Sequence, residues 1–147
     1  MALFSRPVAR KQNRDSRAIE ALTRALADPD RYTRENAVKS LGMTGEPAAV
    51  PALLRALADR EEVVRSRAAD ALGEIANPAA VEALTAACAD SNALVRQSAL
   101  TALAKIRDER SLAAFQKALN DEASVVRREA VRGLASLDKD LGRRACL

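Results

Sequence analysis

Apolar side chains recur at the spacing i, i+4, i+5 and i+8 within four stretches of this chain, and the stretches lie 31 residues apart. That spacing places them on one face of an α-helix, whereas a half-buried strand would alternate apolar and polar residues. Each stretch therefore predicts the first helix of a repeating unit. Its four columns are Thr33, Val64, Val95 and Val126; Ala37, Ala68, Ala99 and Ala130; Val38, Ala69, Leu100 and Val131; and Leu41, Leu72, Leu103 and Leu134.

A second helix fills the other half of the period, because apolar residues there follow the spacing i, i+3 and i+7. Its columns are Ile19, Val50, Val81 and Leu112; Leu22, Leu53, Leu84 and Phe115; and Leu26, Leu57, Cys88 and Leu119. We expect an opening second-type helix at about 16–27, helix pairs at about 29–58, 60–89 and 91–120, and a closing first-type helix at about 122–136. One helix pair cannot bury its apolar face alone, so the units must stack.

Three residue types are expected to set the helix boundaries. An aspartate column begins each first helix and suits the N-cap position, where a side-chain oxygen accepts a backbone N–H. Pro29 then stands at the favoured first helical position. Gly42 and Gly73 are expected to end two of the first helices.

The repeated columns resemble the short HEAT repeats named after phycobilisome lyases. The residues that carry the resemblance are Asp59, Val64, Arg65, Ala68, Ala71, Leu72 and Gly73 in the first helix and Ala80, Val81, Ala83 and Leu84 in the second. The resemblance implies an all-α, right-handed α-solenoid of stacked helix–turn–helix repeats with a 31-residue period. It also implies that second helices line the concave side of the solenoid and first helices its convex side.

Aspartate and arginine recur in strict register, and they have two interpretations. The arginines could form a ladder that binds phosphate or carboxylate groups, or each could pair with an aspartate of its own or a neighbouring repeat, as the resemblance implies. We favour the structural ladder. Its members are Asp28, Arg34, Asp59, Arg65, Asp90, Arg96, Asp121 and Arg127.

A row of charged residues on the second helices is the candidate site for a partner. Arg24, Arg55 and Lys117 share one column with Ala86 and lie away from the apolar stripe. The row is either a solvated helix face or a groove for a partner with an acidic or mixed-charge surface. The candidate partner-binding residues are Arg17, Arg24, Arg55, Glu82, Arg110 and Lys117.

The net charge of +4 comes from one end of the chain. Residues 1–17 carry five basic side chains against one acidic one, and the remaining residues balance to zero. We therefore divide the chain into a basic arm at 1–15, a solenoid at 16–136 and a basic tail at 137–147. Residues 9–15 are expected to be mobile. A neutral body disfavours nucleic acid as the main partner.

The residues needed for several kinds of chemistry are missing. The sequence contains no histidine, which removes Ser–His and Cys–His nucleophiles and the commonest metal ligand. It also removes the iron-binding His–Glu pairs of HEAT-type deoxyhypusine hydroxylases. Cys88 stands in a leucine column and is expected to lie in the core, while Cys146 lies in the basic tail. We predict no metal and no cofactor.

These observations predict a non-enzymatic interaction module, an adaptor, scaffold or assembly factor that holds another protein on its concave face. The alternative, from resemblance, is a subunit of a phycobilin lyase or a chromophore chaperone. A nucleic-acid-binding HEAT protein is a weaker third reading. Two cysteines form no disulfide framework, and neither a secretory signal nor an apolar run of membrane-spanning length stands out, so we expect a cytoplasmic protein.

Overall fold

The computed structural model describes the backbone of residues 6–145 and the side chains of residues 16–140, and all regular secondary structure in this part of the chain is helical. Its α-helices are α1 (Arg6–Ala25), α2 (Arg31–Thr44), α3 (Val50–Ala56), α4 (Glu62–Ile75), α5 (Val81–Ala87), α6 (Ala93–Ile106), α7 (Leu112–Ala118) and α8 (Ser124–Ala145). Short 3₁₀ turns at Pro47–Ala49, Pro78–Ala80 and Glu109–Ser111 lead into α3, α5 and α7. The chain is an α-solenoid of stacked helix pairs.

The outer helices are longer than the sequence pattern suggests. Helix α1 begins at Arg6 rather than near residue 16, and α8 continues to Ala145 rather than ending near residue 136. The backbone of residues 6–15 is thus part of helix α1. The division into arm, solenoid and tail stays a prediction, because the side chains of 1–15 and 141–147 lie outside the described residues.

The prediction that the column aspartates cap the first helices is wrong. Asp30 caps α2 and accepts the N–H of Thr33, and Asn92 caps α6. Glu61 is the N-cap residue of α4 and makes no side-chain capping bond. Each column aspartate stands two residues earlier and accepts the backbone N–H two positions on, as Asp59 does from Glu61 at 2.9 Å. The carboxylate therefore stabilises the turn that precedes the helix and does not cap the helix itself.

The two glycines expected to end helices lie inside them. Helix α2 ends instead at Gly45, and α4 and α6 end at Ala76 and Arg107, all three in the left-handed conformation. A Cβ on Gly42 would stand 2.7 Å from the Cβ of Ala71 in the next first helix. A Cβ on Gly73 would meet the Cα of Ala102 at 2.8 Å. Glycine therefore serves close packing between successive first helices.

The helices form two rows, which we call the first row (α2, α4, α6 and α8) and the second row (α1, α3, α5 and α7). Successive first-row helices pack against each other along their length, and successive second-row helices make no comparable contact within the described residues. Open grooves separate α1 from α3 and α5 from α7. Closer spacing along one row bends a solenoid toward that row. The first row is therefore the inner one, and the expectation that second helices line the concave side is wrong for this chain.

The core lies between the two rows and consists of the predicted columns. Leu41, Leu72 and Leu103 from the first row are fully buried, as are Leu53 and Leu84 from the second. Burying a leucine side chain contributes roughly 1.5–3 kcal/mol, so these columns supply most of the cohesion between rows. Cys88 packs against this core as a partly buried thiol.

The last repeat differs from the others at two positions that pack against each other. Phe115 takes a leucine position and is fully buried, and Gly133 stands in α8 where the two preceding repeats have Ala102 and Ala71. A Cβ on Gly133 would collide with the ring of Phe115. The larger ring and the missing methyl group thus compensate for each other.

Candidate interaction surfaces

The arginine and aspartate columns form a ladder that links each repeat to the next. Arg34 Nε donates to Asp59 at 2.9 Å. Arg65 and Arg96 repeat the contact with Asp90 and Asp121, each at 2.8 Å. In every pair the aspartate lies 25 residues after the arginine. The pairing therefore joins neighbouring repeats, and the guanidinium groups are not available to a ligand.

Each ladder arginine is also bonded to its own repeat. The Nη1 of Arg34 donates to the carbonyl of Asp28 at 2.8 Å, and the Nη1 of Arg96 donates to that of Asp90 at the same distance. Arg34 and Arg96 are buried. One guanidinium thus ties the turn before its own helix to the turn before the next one.

The ladder shifts the ionisation of its members. The hydrogen bond from Arg96, with the N–H of Ala123, lowers the pKa of Asp121 despite partial burial. Burial would raise the pKa of Asp90, but the hydrogen bonds from Arg65 and the N–H of Asn92 outweigh it and the net shift is downward. Both carboxylates are therefore held ionised at neutral pH.

The predicted partner-binding residues lie on the second row, which is the outer one. Three cations of this set, Arg24, Arg55 and Lys117, are exposed. Their side chains make no hydrogen bond or ion pair with any described residue. Arg55 lines a groove of about 230 Å³ between α1 and α3, and Lys117 lines one of about 500 Å³ between α5 and α7. The two grooves occupy equivalent positions two repeats apart.

The other members of the predicted set are arranged differently. Arg110 donates to the carboxylate of Asp108 at 2.9 Å and to the carbonyl of Pro78 at 3.2 Å, so its charge is already paired. Glu82 and Arg17 are exposed. Arg110 therefore differs from Arg17, Arg24, Arg55 and Lys117, whose side chains form no ion pair within the described part of the chain.

A second surface, which the repeat pattern did not single out, lies on the inner row. A groove of about 400 Å³ runs between α2 and α4. Side chains of both signs of charge line the groove: Lys39 and Arg67 are cationic, and Asp70 and Glu74 are anionic. Met43 also lines the groove and is 78% exposed. The groove thus combines an exposed flexible thioether with a mixed-charge rim.

Polar contacts between helices cross this inner row. Arg67 reaches Glu35 at 3.2 Å, and Lys105 reaches Glu74 at 2.7 Å, in both cases from one first-row helix to its neighbour. Burial raises the pKa of Asp70, although a hydrogen bond from Ser98 partly offsets the shift. Ion pairs between neighbouring helices therefore lie on the inner face beside the exposed Met43.

One signal in the sequence could have located this face. The column of Lys39, Asp70, Thr101 and Arg132 holds a different residue in every repeat, as does the column of Met43, Glu74, Lys105 and Ser136. The structural columns between them hardly vary. Variation within a repeat array marks the positions that packing does not dictate.

Neither surface has the groups of a metal or nucleophile site. Within the described residues no cluster of three or more histidine, cysteine, aspartate or glutamate side chains stands close enough to hold a metal ion. Burial raises the pKa of the Cys88 thiol to about 12, which removes its thiolate at neutral pH. Cys146 lies outside the described residues. No described helix is long and apolar enough to cross a membrane.

Comparison with known proteins places these surfaces in context. The family model for HEAT repeats matches residues 8–69 and 51–135. Human deoxyhypusine hydroxylase is 30% identical with a TM-score of 0.73, over 82% of this chain and 43% of its own. The CpcE–CpcF complex of phycocyanin lyase from Nostoc sp. is 26% identical with a TM-score of 0.72, over 84% of this chain and 54% of its own. This chain therefore spans about half the length of each.

A designed armadillo repeat protein in complex with a (KR)4 peptide shares the fold at 21% identity, with a TM-score of 0.66 over 79% of this chain and 62% of its own. No curated protein sequence matches the chain.

Proposed function

Since the chain belongs to the HEAT-repeat family, we propose that it is a non-enzymatic protein-binding module whose partner lies against the inner row. The observation that carries the proposal is the groove between α2 and α4, which is lined by the exposed side chain of Met43 and by side chains of both charges. A partner with a mixed-charge surface and one apolar side chain fits this arrangement.

Three physical features support binding at this surface. The first-row helices are rigidly packed through Gly42 and Gly73, so the groove needs little reorganisation to accept a partner. Methionine adapts its shape to varied partners because its side chain is unbranched and polarisable. Exposed charges on the rim would set orientation and association rate rather than supply most of the affinity.

Capture of the native partner by matched variants tests the proposal. Met43→Glu combined with Lys39→Glu changes two exposed inner-row positions and should abolish capture. Arg55→Glu combined with Lys117→Glu changes the second-row cations and should leave capture intact. Circular dichroism melts of both double variants should match the wild type, because none of the four side chains is buried.

The opposite outcome for the two double variants would place the partner on the second row. If the second-row variant loses the partner and the inner-row variant keeps it, the partner binds along Arg24, Arg55 and Lys117, the row predicted from the sequence. If both variants capture the partner normally, neither row is the interface and the proposal fails.

A bilin-related role is the second candidate, and the similarity to the CpcE–CpcF complex of phycocyanin lyase favours it. The shared region covers about half of that chain, so the comparison supports at most a contribution to such a complex. Addition of a free bilin would shift its visible absorption spectrum if the chain holds it. An unchanged spectrum would leave the protein-binding module as the better explanation.

A further inference from the structure

We propose that the chain stacks head to tail, with helices α1 and α2 of one copy continuing the two rows beyond α7 and α8 of another, so that α2 covers the open face of α8. Helices α2, α4 and α6 each have a following repeat that covers one of their faces, whereas the described part of the chain places nothing over the corresponding face of α8. This end-to-end contact is separate from the inner-row groove and does not depend on it.

The open face of α8 is apolar. Val131 is 58% exposed, whereas Val38, Ala69 and Leu100, which hold the same column, are fully buried. Leu134 is only partly buried, although Leu41, Leu72 and Leu103 in its column are fully buried. The residues of a packed repeat interface are thus present at this end with no neighbour against them among the described residues.

Within the described residues, the first aspartate and the last arginine of the ladder lack the partner that the other members have, and these two groups are complementary. The Nη1 of Arg127 donates to the carbonyls of Asp121 and Glu122, at 2.7 and 3.1 Å, but Arg127 pairs with no carboxylate within the described residues. At the other end, the Asp28 carboxylate accepts the N–H of Asp30 at 2.8 Å, and no arginine in the described part of the chain donates to it. Arg127 of one copy and Asp28 of the next could therefore form the contact that Arg96 makes with Asp121 at 2.8 Å.

The lengths of the two terminal helices point to a second copy as the occupant. Helix α8 runs unbroken for 22 residues where α2, α4 and α6 have 14. It does not turn back within its length to supply a second-row helix of its own. Helix α1 is a second-row helix of 20 residues and already carries α2 and Asp28 behind it in the correct register. With α1 in the vacant second-row position, the extra turns of the two helices would lie side by side.

Such an interface is heterologous, because different surfaces of the two copies meet, so it predicts open-ended growth rather than a closed dimer. Sedimentation analysis across protein concentration should show a mass that rises steadily above the 15.7 kDa of one chain. Val131→Glu should hold the mass at 15.7 kDa at every concentration. The matched control is Leu94→Glu, which changes another exposed apolar residue away from the ends and should assemble as the wild type does.

Charge exchange provides the sharper test. Arg127→Asp and Asp28→Arg should each stay monomeric, because each places like charges across the contact. An equimolar mixture should assemble again, because the new carboxylate of the first variant can meet the new guanidinium of the second, while the wild-type pair forms at the alternate contact. Melting curves of the separate variants exclude unfolding as the reason for their monomeric state, and unfolded chains would not regain assembly on mixing.

Three results would overturn the proposal. The first is a wild-type chain that stays monomeric up to about 1 mM, the range of the weakest specific contacts. The second is a mass that stops at twice that of one chain, because a closed dimer needs a symmetric interface. The third is assembly that Val131→Glu leaves unchanged, which would place the contact elsewhere on the molecule.

Discussion

Replacing Arg96 by alanine should be among the most damaging single changes in this protein. The Arg96 side chain donates to both oxygens of Asp121, at 2.8 and 3.0 Å, and to the carbonyls of Asp90 and Ser91. The side chains of Arg96 and Asp121 are only 9% and 13% exposed. Removal of one partner from a buried pair costs about 3–5 kcal/mol, because the other charge stays buried without its counter-ion.

That loss is large on the scale of a whole domain. Single domains unfold with free energies of about 5–15 kcal/mol, so Arg96→Ala would remove a third or more of a typical total. For a chain of this size, each kcal/mol lowers the melting temperature by roughly 2–4 °C. Thermal and urea denaturation, followed by circular dichroism, would measure the loss as a fall in melting temperature of about 10 °C.

Arg127→Ala is the matched control, because Arg127 holds the same column. It lacks a carboxylate partner within the described residues, and its bonds go to two carbonyls at the surface. Loss of these exposed contacts should cost no more than about 1 kcal/mol. Equal destabilisation by the two variants would mean that the Arg96–Asp121 pair adds nothing beyond its backbone contacts, and the ladder would not be the main link between repeats.

The same pair has a defined pH dependence. The pKa of Asp121 is lowered in the folded state, chiefly by the hydrogen bond from Arg96. Its contribution to stability is therefore complete above the unfolded-state pKa of about 3.9 and is lost as the pH falls through the lower folded-state pKa. The gap in unfolding free energy between wild type and Arg96→Ala should be constant from about pH 5 to 8 and should shrink below about pH 4.

Four further outcomes are expected. Gly133→Ala should destabilise the chain by about 1–3 kcal/mol through its clash with the Phe115 ring, and adding Phe115→Leu should restore most of the loss in a double-mutant cycle. Ala76→Gly should raise the unfolding free energy by about 1 kcal/mol, because Ala76 has a φ of 55°; no gain in urea denaturation would argue against strain there. In a Cys146→Ser background, a thiol reagent should leave Cys88 unmodified until the chain unfolds, since burial raises the pKa of this thiol to about 12, and rapid labelling of Cys88 in the native protein would contradict this. Deleting residues 1–15 should remove most salt-sensitive binding to nucleic acid, as measured by the slope of affinity against salt, and undiminished binding would move the basic site into the body.

The architecture could be predicted from the sequence because its signals are periodic. Each core column repeats four times in register, so one residue that departs from its column, such as Cys88 or Phe115, does not obscure the pattern. The 31-residue period and the alternation of two helix types follow from those columns alone, and the family match and all-helical structure of the described residues confirm the solenoid.

Features that depend on distances between helices could not be predicted in the same way. An aspartate before a helix looks like an N-cap, but the arginine of the preceding repeat binds the carboxylate of Asp59 and places it two residues before the helix. A glycine late in a helix looks like a stop signal, yet Gly73 is required by the approach of Ala102 from another repeat. Both contacts link residues more than 20 positions apart, and local sequence pattern does not encode them.

The candidate site was harder still, because it depends on which row is inside. Arg55 and Lys117 share a column on the second helices, and that much the sequence shows. The side of the curvature on which they lie depends on the closer packing of the first row, which Gly42 and Gly73 permit. The variable column of Met43, Glu74, Lys105 and Ser136 marks this face in the sequence, but the groove itself depends on how α2 packs against α4.

The reach of each ladder pair has a consequence for how a protein of this kind can change length. Every pair spans 25 residues, which is shorter than the repeat, so each arginine depends only on the aspartate that comes next. Removing residues 59–89 would bring Asp90 to the place of Asp59 and offer Arg34 the same partner chemistry, and duplicating that block would add one more pair without breaking any. Gene rearrangements that gain or lose whole units would therefore preserve the ladder wherever they fall, and the number of repeats can evolve independently of the contact that joins them.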